Sequence, residues 1–232
     1  MSPLTELGLA AAALGGLWLL TGAAATLRFR ARNPLRRLPD SGRTLYLTFD
    51  DGIDPVFTPR LLDLLAEQRI RASFFVRAET VARWPEIARR MAAEGHLVGL
   101  HSLSHRDQIL QTPGALRRDF ARSREIFRAA GLTPRWYRPP WGHVRPLGLR
   151  LCRDCGWRIV LWNVIVQDWQ RSAAPERTRA RLTARLRGNA VICLHDGRGR
   201  DGAPGRTIEM LRSLLPELAG KGYTFETVDR LD

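Results

Sequence analysis

From Gly42 onward, short apolar runs alternate with amphipathic stretches, the pattern of βα units rather than of a helical bundle or a β-sandwich. Runs rich in β-branched and aromatic residues predict strands at 44–49, 72–76, 97–100, 136–138, 159–162, 191–194 and 223–228. Between them, Leu61, Leu62, Leu64 and Leu65 give residues 58–68 one apolar helical face. A second helix, 80–94, closes on Gly95 as its C-terminal glycine, and a third covers 206–218. The fold class is α/β with a parallel sheet, and no internal repeat interrupts it.

The first forty residues break the pattern. Residues 7–27 carry no charge and are rich in Ala and Leu, about the length a helix needs to cross a bilayer. Ala23, Ala24 and Ala25 offer small residues for signal cleavage, but residues 1–6 hold no Lys or Arg to form a basic leader. The expectation is therefore a single-pass membrane anchor over 1–27, a basic linker over 28–42 and a catalytic domain over 43–232. Arg28, Arg30, Arg32, Arg36 and Arg37 follow the apolar stretch, and the positive-inside tendency would hold that flank in the cytoplasm. The extracytoplasmic side is nonetheless the placement expected, because of the chemistry carried by the residues at the strand ends.

Composition narrows the partners. At 232 residues and 44% hydrophobic, the chain can bury one substantial core. The net charge of +14 invites a nucleic-acid reading, but Lys221 is the only lysine and the arginines are scattered rather than gathered in one stripe, so no nucleic-acid partner is expected. Cys152, Cys155 and Cys193 imply no disulfide framework, and Cys152 with Cys155 lies in a predicted helix with no second pair to complete a metal cage. The loop 197–205 lacks the Gly-Lys-Ser/Thr ending of a phosphate-binding loop and reads as flexible surface.

Polar residues collect where the strands end. Asp50 and Asp51 end the first strand, His101 the third and Arg138 the fourth; Asp168 follows the fifth, and His195 with Asp196 ends the sixth. In a parallel α/β barrel these carboxyl ends share one face, where active sites are built. Adjacent carboxylates repel unless a cation intervenes. His101 and His105, four apart, can be aimed at one ion; with one carboxylate of the pair they leave coordination positions open for water and substrate, as a hydrolytic zinc site requires. His96 and His143 complete no ligand spacing and read as structural or surface residues.

Five segments in this order resemble the polysaccharide deacetylases, the NodB-homology domain of carbohydrate esterase family four. They are Thr-Phe-Asp-Asp-Gly at 48–52, His-Ser-Leu-Ser-His at 101–105, Arg-Pro-Pro-Trp-Gly at 138–142, Asp-Trp at 168–169 and Leu-His-Asp at 194–196. The resemblance implies a distorted (β/α) barrel of about seven βα units. It implies one divalent ion, zinc by preference, on Asp51, His101 and His105, with Asp50 as the base and His195 as the acid. Arg138 would orient Asp50, and Asp168 would hold His195 protonated. Pro140, Trp141, Trp169 and Leu194 would contact substrate, and a backbone N–H near Trp141 would help bind the oxyanion. The implied activity is metal-dependent removal of an N-acyl group, acetyl first, from amino sugars of a cell-envelope glycan or glycolipid. Alternatives are a deformylase or deacetylase of a lipid-linked sugar, or a silent glycan-binding scaffold. Ile53 stands where the family usually has Pro, and Ile165 where many members have Asp.

Overall fold

The computed structural model describes residues 3–38, 41–199 and 201–231. The chain runs through α1 (Pro3–Ala31), β1 (Thr44–Asp50), α2 (Phe57–Glu67), β2 (Ser73–Val76), α3 (Ala78–Arg83), α4 (Pro85–Ala93), β3 (Leu97–Leu100) and α5 (Pro113–Ala129). It continues through β4 (Trp136–Tyr137), α6 (Pro146–Asp154), β5 (Arg158–Ile159), β6 (Val164–Ile165), α7 (Pro175–Thr183), β7 (Ala190–His195), α8 (Ala203–Gly220) and β8 (Thr224–Phe225).

Among the described residues, eight strands form one parallel sheet in the order β5-β4-β3-β2-β1-β7-β6, with β8 beside the start of β1. The two ends of that order, β5 and β6, are joined by residues 160–163 alone. So short a link cannot span an open sheet of seven strands, so the sheet curls into an incomplete barrel. Arg138 sits in the remaining seam. Its side chain is wholly buried and donates to the Val160 and Leu161 carbonyls at 3.4 and 2.9 Å, backbone acceptors the missing strand pairing leaves free.

Strand alternation sorts the side chains. Leu45, Leu47 and Phe49 of β1 face outward and join Phe74, Val76, Ile192 and Leu194 in the core beneath the helices. Tyr46 faces inward with Phe75, Trp136 and Val191 to fill the barrel floor. Thr48 and Asp50 share the parity of Tyr46, so the interior is apolar at the bottom and polar at the carboxyl end.

The expected elements are present with three differences, the first being that the strand expected over 223–228 pairs only as β8 before the chain turns at Val228–Arg230. The run expected at 159–162 pairs only at its start, as β5; β6 follows as two paired residues too short to show periodicity. The helix expected over 80–94 is two helices. Trp84 leaves helical geometry (φ −133°, ψ 57°) because Pro85, which lacks an N–H, can start α4 but cannot continue α3.

The expectation of a bilayer-spanning segment over 7–27 is corrected. Among the described residues, no helix is long and apolar enough to cross a membrane. From Trp18 onward α1 is docked on the domain: Trp18, Gly22, Thr26 and Arg30, spaced four apart, form one helical face against it. The Arg145 guanidinium lies 3.6 Å from the Trp18 ring centre and donates to the Trp18 carbonyl at 2.7 Å, while Thr26 Oγ1 both donates to Val144 O and accepts from Val144 N. Half of the apolar stretch is therefore held by protein rather than free to span lipid.

Candidate active site

Inward parity and strand ends bring the predicted residues to one face. Asp51 Oδ1 lies 3.1 Å from His105 Nε2 and 3.6 Å from His101 Nε2. Ligands about 2.0–2.1 Å from a tetrahedral zinc ion stand about 3.3–3.5 Å apart, so these separations bracket one ion's coordination edge. Asp51 Oδ1 is buried with no hydrogen-bond partner, which is the condition of an atom waiting for a cation. His101 Nδ1 meets the Arg138 carbonyl at 2.6 Å. A carbonyl cannot donate, so the proton is on Nδ1 and the Nε2 lone pair faces the cluster. Burial pushes the His105 imidazole down to about 4, leaving it neutral and able to ligate at ordinary pH. The three residues fit a divalent ion.

The ligand loops are strained into place. Asp51, Ser102, His105 and Trp141 all have positive φ, between 54° and 73°. Arg77 Nε donates to the Asp51 carbonyl, and Thr80 Oγ1 and Arg77 N donate to that of Gly52. Ser102 Oγ accepts from His105 N, and Asp119 accepts from Leu103 N. Gly52 has no alternative: a Cβ there would lie 2.5 Å from Asp196 Oδ2, the carboxyl that accepts from Thr58 Oγ1 beneath the site.

Asp50 stands apart from this trio in its partners. Its Oδ1 accepts from Arg138 Nη1 at 2.8 Å, and Arg138 also donates to Thr48 Oγ1. Burial alone would raise the Asp50 pKa, but Arg138, His101 and His195 outweigh it and hold the carboxyl below its ordinary value. On β7, directly opposite, His195 Nδ1 pairs with Asp168 Oδ1 at 2.8 Å, while Asp168 Oδ2 accepts from His195 N and Thr207 Oγ1. Burial disfavours the imidazolium, yet Asp168 overcomes it and lifts His195 to about 9. The result is an ionised carboxylate and a protonated imidazole at neutral pH, flanking one donor trio.

The cleft above holds about 810 Å³, within the roughly 300–1,000 Å³ usual for ligand pockets. Trp141 stands against His105 and Trp169 against His195, at ring separations of 4.3 and 4.7 Å. Pro140 and Leu194, expected to contact substrate, are buried and do not line it. Leu194 points to the helices because it alternates with His195. In the Trp141 turn, Gly142 N and His143 N are engaged by the Pro139 and Pro140 carbonyls, so neither is free for an oxyanion.

Nine residues of the cleft lining had no predicted role there, and four of them bear on its chemistry. Arg30 reaches in from α1 and donates to the Trp141 carbonyl, a contact across 111 residues with no local signal. His143 lines the cleft with its Nδ1 2.7 Å from Asp107, whereas His96 is structural, accepting from Ala72 N. Arg198 brings the loop read as flexible surface into the cleft wall, and Cys193 forms part of its floor.

Known proteins resemble this chain in sequence and fold. The family model for polysaccharide deacetylases matches residues 37–160. A peptidoglycan-N-acetylglucosamine deacetylase of Bacillus cereus is 30% identical over 196 residues, covering 84% of this chain and 90% of that one. A chitooligosaccharide deacetylase of a Bradyrhizobium species is 34% identical, covering 82% and 90%. The solved structure of the Bc1960 peptidoglycan N-acetylglucosamine deacetylase superposes with a TM-score of 0.75 at 30% identity, covering 82% of this chain and 88% of that one.

Proposed function

The chain belongs to the polysaccharide deacetylase family, and from that membership we propose that it hydrolyses the N-acetyl group of amino sugars in a cell-envelope glycan such as peptidoglycan or a chitin-like oligomer. The observation that carries the reading is the pairing of Asp50 with Arg138 and of His195 with Asp168, side by side on β1 and β7 in the cleft that also holds Asp51, His101 and His105.

An amide resists hydrolysis because its nitrogen is a poor leaving group and its carbonyl a weak electrophile. A divalent ion held by Asp51, His101 and His105, zinc in our reading, supplies carbonyl polarisation and a more acidic water. Asp50 Oδ2 accepts the proton of the attacking water, since Oδ1 is engaged by Arg138. His195, charged through Asp168, donates from Nε2 to the departing nitrogen, so the sugar leaves as an amine. Trp141, half exposed, and Trp169 offer aromatic faces to the pyranose rings, and the Trp141 N–H is the oxyanion donor that its turn supplies.

The catalytic domain in this proposal is 43–232, with α1 as a wall of its cleft. Exposed Leu17, Leu20 and Leu27 on α1 support attachment to a membrane surface, and the wall substrates of the relatives support an extracytoplasmic site. Reporter fusions after residue 232 test the side.

The activity is tested by incubating the zinc-loaded chain with N-acetylglucosamine oligomers and peptidoglycan and measuring acetate. Release that disappears with Asp50→Asn is the expected result; no acetate from either substrate would overturn the reading.

A further inference from the structure

The floor of the cleft carries a nucleophilic group for which the reaction has no use. Cys193, 1% exposed, lies on β7 with the inward parity of His195, and its Sγ is 3.4 Å from Asp50 Oδ2. Donor atoms of Asp50, Cys193 and His195 all lie within 4.8 Å of one another. We propose that these three residues form a second metal site, selective for thiophilic divalent ions such as Cd2+ or excess Zn2+, which shuts the enzyme down by occupying its base and its acid.

The geometry favours an ion. Zinc with a sulfur at about 2.3 Å and an oxygen at about 2.0 Å at the tetrahedral angle places the two donors about 3.5 Å apart, close to the separation observed. Each residue also has one suitable atom spare. Asp50 Oδ1 is engaged by Arg138, leaving Oδ2. His195 Nδ1 is engaged by Asp168, leaving Nε2. Sγ has the Asp50 carboxylate as its hydrogen-bond acceptor and loses only that bond on ligation.

Soft thiolate selects thiophilic ions over Mg2+ and Ca2+, whereas the Asp51, His101 and His105 trio contains no sulfur. Binding is balanced by release of the thiol proton and the Nε2 proton of His195 to solvent. The two trios share no donor but adjoin, Asp50 Oδ2 being 4.0 Å from His101 Nε2. Inhibition follows because the lone pair Asp50 needs for the water proton, and the proton His195 must deliver, are both removed. That consequence rests on the deacetylase reading above; the site itself does not.

The test uses the full chain loaded with one zinc per chain, titrated with Cd2+. The expected result is a further bound ion, a thiolate-to-cadmium charge-transfer band in the ultraviolet, and loss of acetate release in step with the band. In Cys193→Ala the band should vanish and the Cd2+ concentration that halves the variant's own activity should rise at least 10-fold; Cys193→Ser, closer in volume, is the second variant. Cys152→Ala with Cys155→Ala should keep the band. A band that survives removal of Cys193, or equal Cd2+ sensitivity in the Cys193 variants, would overturn the site. Band and ion count are read without substrate, so absence of deacetylase activity would overturn the functional reading and leave this test standing.

Discussion

Replacing Asp168 with Asn removes the charge that keeps His195 protonated while leaving a side chain of the same shape to accept from His195 N and Thr207. In the native site His195 titrates at about 9, so at pH 7.5 about 97% of molecules hold the proton the leaving nitrogen needs. Without Asp168 the largest effect opposing burial is gone and only the charges of Asp50 and Asp51 still counter it, so the imidazole falls toward its ordinary 6.5. At that limit the protonated fraction at pH 7.5 is about 9%, so this effect alone costs up to roughly 10-fold. The sign is definite: the acid acts in its protonated form, so activity is present below the raised pKa and lost as pH rises through it. Asp50 is held below its usual range and stays ionised throughout, so only the alkaline limb of kcat/KM should move. Acetate release measured from pH 5 to 10 should show that limb falling from near 9 toward 6.5, with activity partly recovered near pH 5.5. An alkaline limb that stays near 9 in Asp168→Asn would refute the assignment of His195 as acid, however large the loss in rate.

Three further outcomes follow from the same geometry. Asp50→Asn should keep the metal and lose roughly 100-fold or more in turnover, whereas Asp51→Asn should lose metal first; equal metal content in the two variants by elemental analysis would sink the division of roles. Arg138→Met leaves Asp50 buried without its cation and should cost about 3–5 kcal/mol in denaturant unfolding, with the acid limb of the pH profile moved upward; unchanged stability would mean the seam is closed by something else. Gly52→Ala places a methyl against Asp196 and should destabilise by about 1–3 kcal/mol, read as a lowered Tm.

Much of this was legible because the polar residues stand at the ends of apolar strands, where composition alone would not put them. Asp50, Asp51, His101, His105, Arg138, Asp168 and His195 come together as expected, and the βα pattern predicts the sheet. What escaped depends on partners far along the chain. α1 reads as a membrane span because its apolar content is visible locally, whereas its docking depends on Arg145 and Val144, more than a hundred residues away. Arg198 reads as loop surface for the same reason. Arg138 could be placed at a strand end, but not in a seam, since the seam exists only once β5 and β6 prove too short to pair.

Strand parity accounts for Leu194 and for Cys193, and it needs no structure. Along β7 every second residue faces the barrel, so His195 as acid requires Cys193 and Val191 to face inward and Leu194 to face the helices. The same parity on β1 places Asp50 with Thr48 and Tyr46, and on β3 places His101 with Gly99, where a Cβ would strike the Phe75 ring at 2.8 Å. Leu194 was therefore excluded from the cleft by its neighbour's role, and Cys193 was committed to it. Asp51 and His105 fall outside the rule because they lie past the strand ends, where left-handed backbone turns the chain toward the ion instead. The strands thus set Asp50, His195 and Cys193 at fixed heights in the barrel, while the segments just past the strand ends supply all three of the trio Asp51, His101 and His105. A β7 altered by one residue in register would exchange His195 and Cys193 for Leu194 and Ile192 at the cleft, and the acid would be lost before any contact with the glycan changed.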